Sequence, residues 1–309
     1  WEERFIHAGF RKHALYYHVN GYTDLERDGG NILIPLDKRR QLPDRALATD
    51  GEDGLLHRDM LLEGGRRSDA HCIRYHEAAA FVRPRDRILD VACGLGYGSH
   101  ILWHNSQASL VIGVDSSAEA IDKAKRDYGC PNCVEFQVGD AQKLGRFPDN
   151  SVDFIASFET IEHLPDPEAY LDELYRVLRP AGRLMLSAPN DWSDETGHDP
   201  NPYHFHVYTW DRLREECGSR FLLELGMIQT AGGAQRLHHS PREWARVDPF
   251  SPLPHDAEWV LLLCMKDPVG AESIPYRETV WDLPDDPSFN VSAFARDYQN
   301  PWLVRGMVA

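Results

Sequence analysis

No run in this sequence is apolar for long enough to cross a bilayer. Its longest apolar stretches, such as Trp259 to Met265, fall far short of the ~20 residues a membrane helix needs. No charged n-region followed by an apolar stretch opens the chain, so no signal peptide is read. The chain begins at Trp1 rather than Met, which points to a trimmed start. Basic charge is also short: 33 Lys and Arg stand against 49 Asp and Glu, for a formal net charge of −16. Proteins that bind polynucleotides draw much of their affinity from a basic face. The deficit therefore argues against long nucleic acid and against an anionic membrane surface as partners. Cysteine is sparse, six residues in 309, with no disulfide-framework spacing, and a chain of this length does not need such a framework. Cys130-Pro131-Asn132-Cys133 is a single C-x-x-C without the second pair a zinc site requires, and it reads as a turn leading into a strand. A reducing, cytoplasmic compartment is expected.

What is present is the composition of an ordinary globular chain, 42% hydrophobic and 27% charged. No internal repeat breaks it, and three zones succeed one another. Residues 1–66 are mixed and rich in His and aromatics, with Ile32 to Leu36 as one short strand; the zone is read as an acceptor cover or a dimer contact. Residues 67–265 alternate strand-like and helix-like patterns. Residues 266–309 form a tail rich in Pro and Asp.

In the middle zone Ser68 is placed as the cap of a helix running to about Val82, ended by Pro84. Strands follow at Arg87–Ala92, Leu110–Val114, Val134–Val138, Val152–Phe158 and Arg183–Ser187. Between them lie helices at Ser99–His104, Ser117–Tyr128 and Asp166–Leu178. A helix at Thr209–Glu216 precedes two last strands, Phe221–Ile228 and Trp259–Met265. Alternating strands and helices imply crossovers and a parallel sheet. The last two strands have no helix between them and are expected to pair antiparallel.

Chemistry-bearing residues sit at strand ends. Ile88-Leu89-Asp90-Val91-Ala92-Cys93-Gly94-Leu95-Gly96-Tyr97-Gly98 is a strand feeding a glycine turn and a helix. Its glycines depart from the G-x-G-x-x-G dinucleotide fingerprint. Asp90 would repel a pyrophosphate and attract a cationic ligand. The second strand ends in Asp115-Ser116, where a carboxylate can accept both hydroxyls of a ribose. The third is followed by Gly139-Asp140-Ala141, where Asp140 can accept from an adenine amine. Three acidic strand ends at the carboxyl edge of one parallel sheet form a ligand site.

These motifs, with Ser151-Val152-Asp153-Phe154-Ile155-Ala156-Ser157-Phe158-Glu159 and the run from Leu178 to Ser187, resemble the ordered motifs of class I S-adenosylmethionine (SAM)-dependent methyltransferases over residues of about 67–190. The resemblance implies an α/β, Rossmann-like three-layer sandwich. Its sheet would be mostly parallel and seven-stranded, ending in an antiparallel pair, with N- and C-terminal extensions. It implies SAM as cofactor, with Asp90, Ala92, Gly94 and Gly96 at its methionine end. Asp115 and Ser116 would serve the ribose, Asp140 and Ala141 the adenine, and Phe158 the region of the sulfonium.

Phe158-Glu159-Thr160-Ile161-Glu162-His163 places Glu159, Glu162 and His163 at i, i+3 and i+4, one face of a helical turn. Two carboxylates and an imidazole suit Mg²⁺, Mn²⁺ or a related ion. The arrangement is similar to metal-dependent O-methyltransferases with a Glu-x-x-Glu-His motif, including small-RNA 2′-O-methylating and ubiquinone-pathway enzymes. That resemblance implies Glu159, Glu162, His163 and His204 as ligands. Without metal, His163 is the catalytic base. The expected reaction is methyl transfer to a hydroxyl of a small-molecule or glycan acceptor. The leaning toward sugar rests on the metal-like motif and on Asn300 to Arg305, which resembles tails of polysaccharide-pathway methyltransferases. N- or C-methylation without metal is the first alternative and a non-catalytic interaction module the second. A homo-oligomer is compatible with all three. His238 and His239 are read as a lid or plain surface, Tyr75 as packing or a contact to the SAM carboxylate, and Tyr16, Tyr17 and Trp210 as core.

Overall fold

The computed structural model describes residues 2–22, 34–38, 58–233, 237 and 240–269. Its centre is an eight-stranded sheet. Five strands run parallel: β3 (Arg87–Val91), β4 (Leu110–Asp115), β5 (Val134–Val138), β6 (Val152–Phe158) and β7 (Leu178–Pro189). Three antiparallel strands, β8 (Leu222–Ala231), β9 (Arg242–Val247) and β10 (Trp259–Met265), complete it. The spatial order is β5-β4-β3-β6-β7-β10-β8-β9. Sequence order thus reverses beside β3, leaving a crevice at the carboxyl ends of β3 and β6.

Alternation along the strands feeds two cores. Ile88, Val111, Phe136, Phe154 and Met185 face one layer. That layer holds α3 (Arg66–Ala79), α4 (Tyr97–Asn105) and α5 (Ala118–Tyr128). Leu89, Val114, Ile155 and Leu184 face the other, built from α6 (Pro167–Val177) and α7 (Trp210–Gly218). Every residue of β6 and β10 is buried, as strands covered on both faces must be. The three-layer architecture is the expected one. Three of the expected helices begin at a side-chain cap: Ser117, Asp166 and Thr209 accept from the amides of Ala120, Ala169 and Arg212.

The sheet has eight strands rather than seven. The added β9 lies outside β8, and none of its residues is buried. Arg242, Glu243 and Arg246 interrupt its apolar pattern, which is how edge strands escape a reading based on hydrophobic runs. Ser68 does not cap α3, because the helix begins at Arg66 behind Gly65. Ser68 Oγ instead donates to the Met60 carbonyl at 2.6 Å and accepts from Lys12 Nζ at 2.9 Å. The N-terminal zone contributes α1 (Glu2–His7), α2 (Tyr16–Asn20), and a short antiparallel pair, β1 (Phe10–Lys12) with β2 (Leu36–Lys38). The strand therefore lies later than Ile32, which is outside the described residues. Lys12 is fully buried and pairs with Asp69 of α3 at 2.9 Å. Trp1, His238, His239 and residues 270–309, with the Asn300–Arg305 tail, also lie outside the described residues. Among the described residues no helix is long and apolar enough to cross a membrane.

The glycine turn after β3 depends on close packing. Gly96 has φ +84, and a Cβ there would lie 2.6 Å from Phe136 Cζ and 2.8 Å from Ala124 Cβ. Gly96→Ala is expected to destabilise the fold by about 1–3 kcal/mol. Urea denaturation measures it, and an unchanged midpoint and slope would contradict this packing.

Candidate active site

A cavity of about 570 Å³ opens at the carboxyl ends of β3 and β6, within the usual size for small-molecule sites. Ala92, Cys93 and Gly94 form its floor; Phe158, Glu159, Glu162 and His163 form one wall. Arg58, Met60 and Arg67 close it from the N-terminal side, and Trp192, Asn201 and His204 from the loop after β7. The chain leaves both strands through left-handed backbone, at Ala92 (φ 58) and Gly94 (φ 53) after β3 and at Glu159 (φ 53) after β6.

The predicted acidic strand ends occupy three different environments. Asp90 is fully buried and lies beneath the floor, accepting from Ser99 Oγ at 2.6 Å and Tyr75 OH at 3.3 Å. Burial, only partly offset by those two hydroxyls, pushes its pKa up to about 7. Tyr75 therefore packs and hydrogen-bonds at once, its ring 4.8 Å from that of Phe158 and 5.6 Å from that of Tyr97. Asp115, 6% exposed, accepts from the amides of Gly94 and Ser117, both at 2.9 Å, and so ties β4 to the glycine turn. Asp140 is exposed and accepts from the Gln142 amide. Ser116, exposed, and Ala141, half-buried, lie with Asp140 on the β4–β5 side of the same edge, beyond the wall of this cavity.

The four predicted metal ligands divide into three and one. Glu162, His163 and His204 each bring a ligand atom within 4.8 Å of the others. Glu159 stays apart. Its Oε1 accepts from Ser187 Oγ at 2.7 Å and lies 3.2 Å from Arg74, while Oε2 accepts from the Trp259 indole at 2.8 Å. The helical spacing does not hold because Glu159 precedes the 3-10 turn Ile161–His163 in left-handed backbone, which turns its side chain toward Arg74. Arg74, fully buried and 4.7 Å over the Trp259 ring, carried no motif that would have singled it out.

Glu162 is 1% exposed, and neither carboxylate oxygen has a hydrogen-bond partner. Burial, then the nearby charge of Glu159, pushes its pKa well up. An orphaned buried carboxylate is costly unless it is protonated or meets a cation. Beside it the two imidazoles have their Nδ1 atoms engaged, His163 with the Tyr203 carbonyl at 2.9 Å and His204 with Asp199 at 2.6 Å. Burial lowers the pKa of His163. With its Nδ1–H donated to a carbonyl, His163 keeps a lone pair on Nε2, 3.9 Å from Glu162 Oε1. The donor set and the orphaned carboxylate fit a divalent ion.

Residues 89–186 match the family model described as a methyltransferase domain. The chain is 32% identical over 170 residues to a probable S-adenosylmethionine-dependent methyltransferase of Mycolicibacterium smegmatis, covering 53% of this chain and 63% of the relative. It is 33% identical over 174 residues to a probable S-adenosylmethionine-dependent methyltransferase of Mycobacterium tuberculosis, covering 56% and 58%. Phosphoethanolamine N-methyltransferase 3 of Arabidopsis thaliana is 35% identical over 107 residues, covering 34% and 21%. The chain thus spans less than two thirds of the length of each relative. Residues 89–186 thus resemble a methyltransferase domain, and the relatives in Mycolicibacterium and Mycobacterium are described as probable SAM-dependent methyltransferases.

Asp90 yields a test by pH. Its unfolded form loses a proton near 3.8, whereas the folded form holds it to about 7. The native state binds more protons in that window, so this residue makes stability fall as pH rises from about 4 to 7 and level off above. Asp90→Asn should remove that slope, on the order of a few kcal/mol across the window. Parallel denaturation curves for variant and wild type at pH 4.5 and 7 would contradict it.

Proposed function

We propose that the whole protein is a SAM-dependent O-methyltransferase that modifies a hydroxyl of a small-molecule or glycan acceptor. The observation that carries this reading is a single cavity joining the glycine turn below Tyr75 and Phe158 to an orphaned carboxylate flanked by two imidazoles. SAM, when bound, supplies a methyl group activated on a cationic sulfur. Asp115, held against the glycine turn by the amides of Gly94 and Ser117, serves the ribose hydroxyls. Ser116 lies beside it, Asp140 and Ala141 serve the adenine, and Ala92, Gly94 and Gly96 shape the turn at the methionine end. Asp90 accepts the Tyr75 hydroxyl from beneath and so orients that ring. The faces of Tyr75, Tyr97 and Phe158 suit a sulfonium.

His163 receives the acceptor's proton at Nε2. Its lowered pKa keeps the ring neutral at ordinary pH, as a base must be. Glu162, His163 and His204 are the residues that would hold Mg²⁺ or Mn²⁺, which supplies a lowered pKa for a coordinated hydroxyl; His163 then serves as a ligand rather than the base. The glycan preference is supported by Trp192, half-exposed at the mouth. Its indole N–H is given to the Glu258 carbonyl at 2.9 Å, so the ring offers only its apolar face. Arg58 and Met60 support a covering role for residues 1–66. Methylation of nitrogen is favoured instead by the likeness to phosphoethanolamine N-methyltransferases.

Two measurements separate these readings. Asp115→Ala is expected to weaken S-adenosylhomocysteine binding by roughly 1–3 kcal/mol in calorimetry. Equal affinity removes Asp115 from the ribose site, and no affinity in the wild type removes the SAM reading. Radiolabelled methyl transfer to a panel of polyols, sugars and amines should favour hydroxyl acceptors and fall on chelation with EDTA. Transfer to amines that EDTA leaves unchanged supports the N-methylation reading.

A further inference from the structure

The loop from Asp199 to His204 is wired to itself so that it fixes both imidazoles. Asp199 Oδ1 accepts the Asn201 amide at 2.8 Å, and Oδ2 lies 2.6 Å from His204 Nδ1. The side chains of Asp199 and His204 are each 5% exposed. On the other edge of the ring, the Asn201 Nδ2 amide donates to His204 Nε2 at 2.9 Å. Asn201 Oδ1 accepts from Tyr203 N at 3.1 Å, and the Tyr203 carbonyl holds His163 Nδ1. The loop is anchored beneath the cluster, because Phe205 N donates to the Glu162 carbonyl at 2.8 Å.

From this wiring we infer that Asp199 is a positioning residue that holds His204 as its Nδ1–H tautomer and keeps Nε2 an unprotonated acceptor, which the Asn201 amide occupies and a cation would take over. A carboxylate carries no proton to give, so the ring nitrogen facing it must be the donor. The opposite nitrogen keeps its lone pair, and the donating amide of Asn201 requires that same assignment. Carboxylate partners behind a ligating histidine fix its orientation in this way. The consequence for cation binding rests on the metal reading above; the tautomer does not.

The experiment uses full-length protein with ¹⁵N-labelled histidine. A long-range ¹H–¹⁵N spectrum reads each ring tautomer, His204 being assigned by its absence in His204→Gln. Mn²⁺ affinity is read by electron paramagnetic resonance and S-adenosylhomocysteine affinity by calorimetry. The wild type should show Nδ1–H at His204. Asp199→Asn keeps the size of the side chain and, with Oδ1 still accepting the Asn201 amide, presents its NH₂ to the ring. It should switch His204 to the Nε2–H form, weaken Mn²⁺ binding by roughly 10–100-fold and leave S-adenosylhomocysteine affinity unchanged. Asp199→Ala should lose the fixed tautomer, and Asp199→Asn keeps the test valid if that variant fails to fold. An Nε2–H form in the wild type, or an unchanged tautomer in Asp199→Asn, overturns the inference. A switched tautomer in a protein that never binds Mn²⁺ sustains the inference and defeats the metal reading alone.

Discussion

Two neighbouring strands, β3 and β6, leave the sheet through backbone that ordinary residues avoid. Ala92 and Glu159 both have positive φ without being glycine, a conformation that costs on the order of 1–3 kcal/mol each and persists only where the surroundings over-determine it. After β3 the reversal continues through Gly94 and Gly96, which lowers the chain beneath the cavity and begins α4. After β6 it swings Glu159 toward Arg74 and delivers Glu162 and His163 to the opposite side. The cavity is the space these two departures leave open, and the rest of the site is arranged around it.

The carboxylates around that space show how one sheet edge handles negative charge in four ways. Asp115 is satisfied by two backbone amides. Glu159 is satisfied by a buried arginine, a serine and an indole. Asp90 is fully buried with neutral donors alone, and its proton affinity rises. Neither carboxylate oxygen of Glu162 has a hydrogen-bond partner. The gradation matters for function, because an unsatisfied acid next to two oriented imidazoles is a place where a cation or a proton has to be accommodated.

Much of this was legible before any coordinates. The strand–turn–helix run around Asp90, the acidic end of β4 and the helix starts at Ser117, Asp166 and Thr209 are local signals, and the structure carries them as read. The start of α3 was misread because Ser68 is a good cap by type, yet a tertiary contact to Lys12 and Met60 claims its hydroxyl. The strand β9 left no trace because an edge strand need not be apolar. Glu159 joined the wrong group because helical spacing was assumed where the chain makes a 3-10 turn after a left-handed residue. Arg74, Trp192 and Asp199 gave no periodic or motif signal. They approach the site from α3 and from the loop after β7, and nothing in linear spacing encodes that approach.

The sequence by itself determined the alternation of strands and helices, the glycine turn and the row of acidic strand ends, because these follow from short-range periodicity and backbone preference. It also placed Glu162 beside His163, since they are neighbours in the chain. Only the tertiary structure decided which acids are paired and which is left orphaned, and which nitrogen of each imidazole faces the cavity. Those outcomes depend on burial and on partners dozens of residues distant, as with Arg74 and Glu159 or His163 and Tyr203. Desolvation and charge pairing act through space, so they are set when the layers close and not when the chain is written.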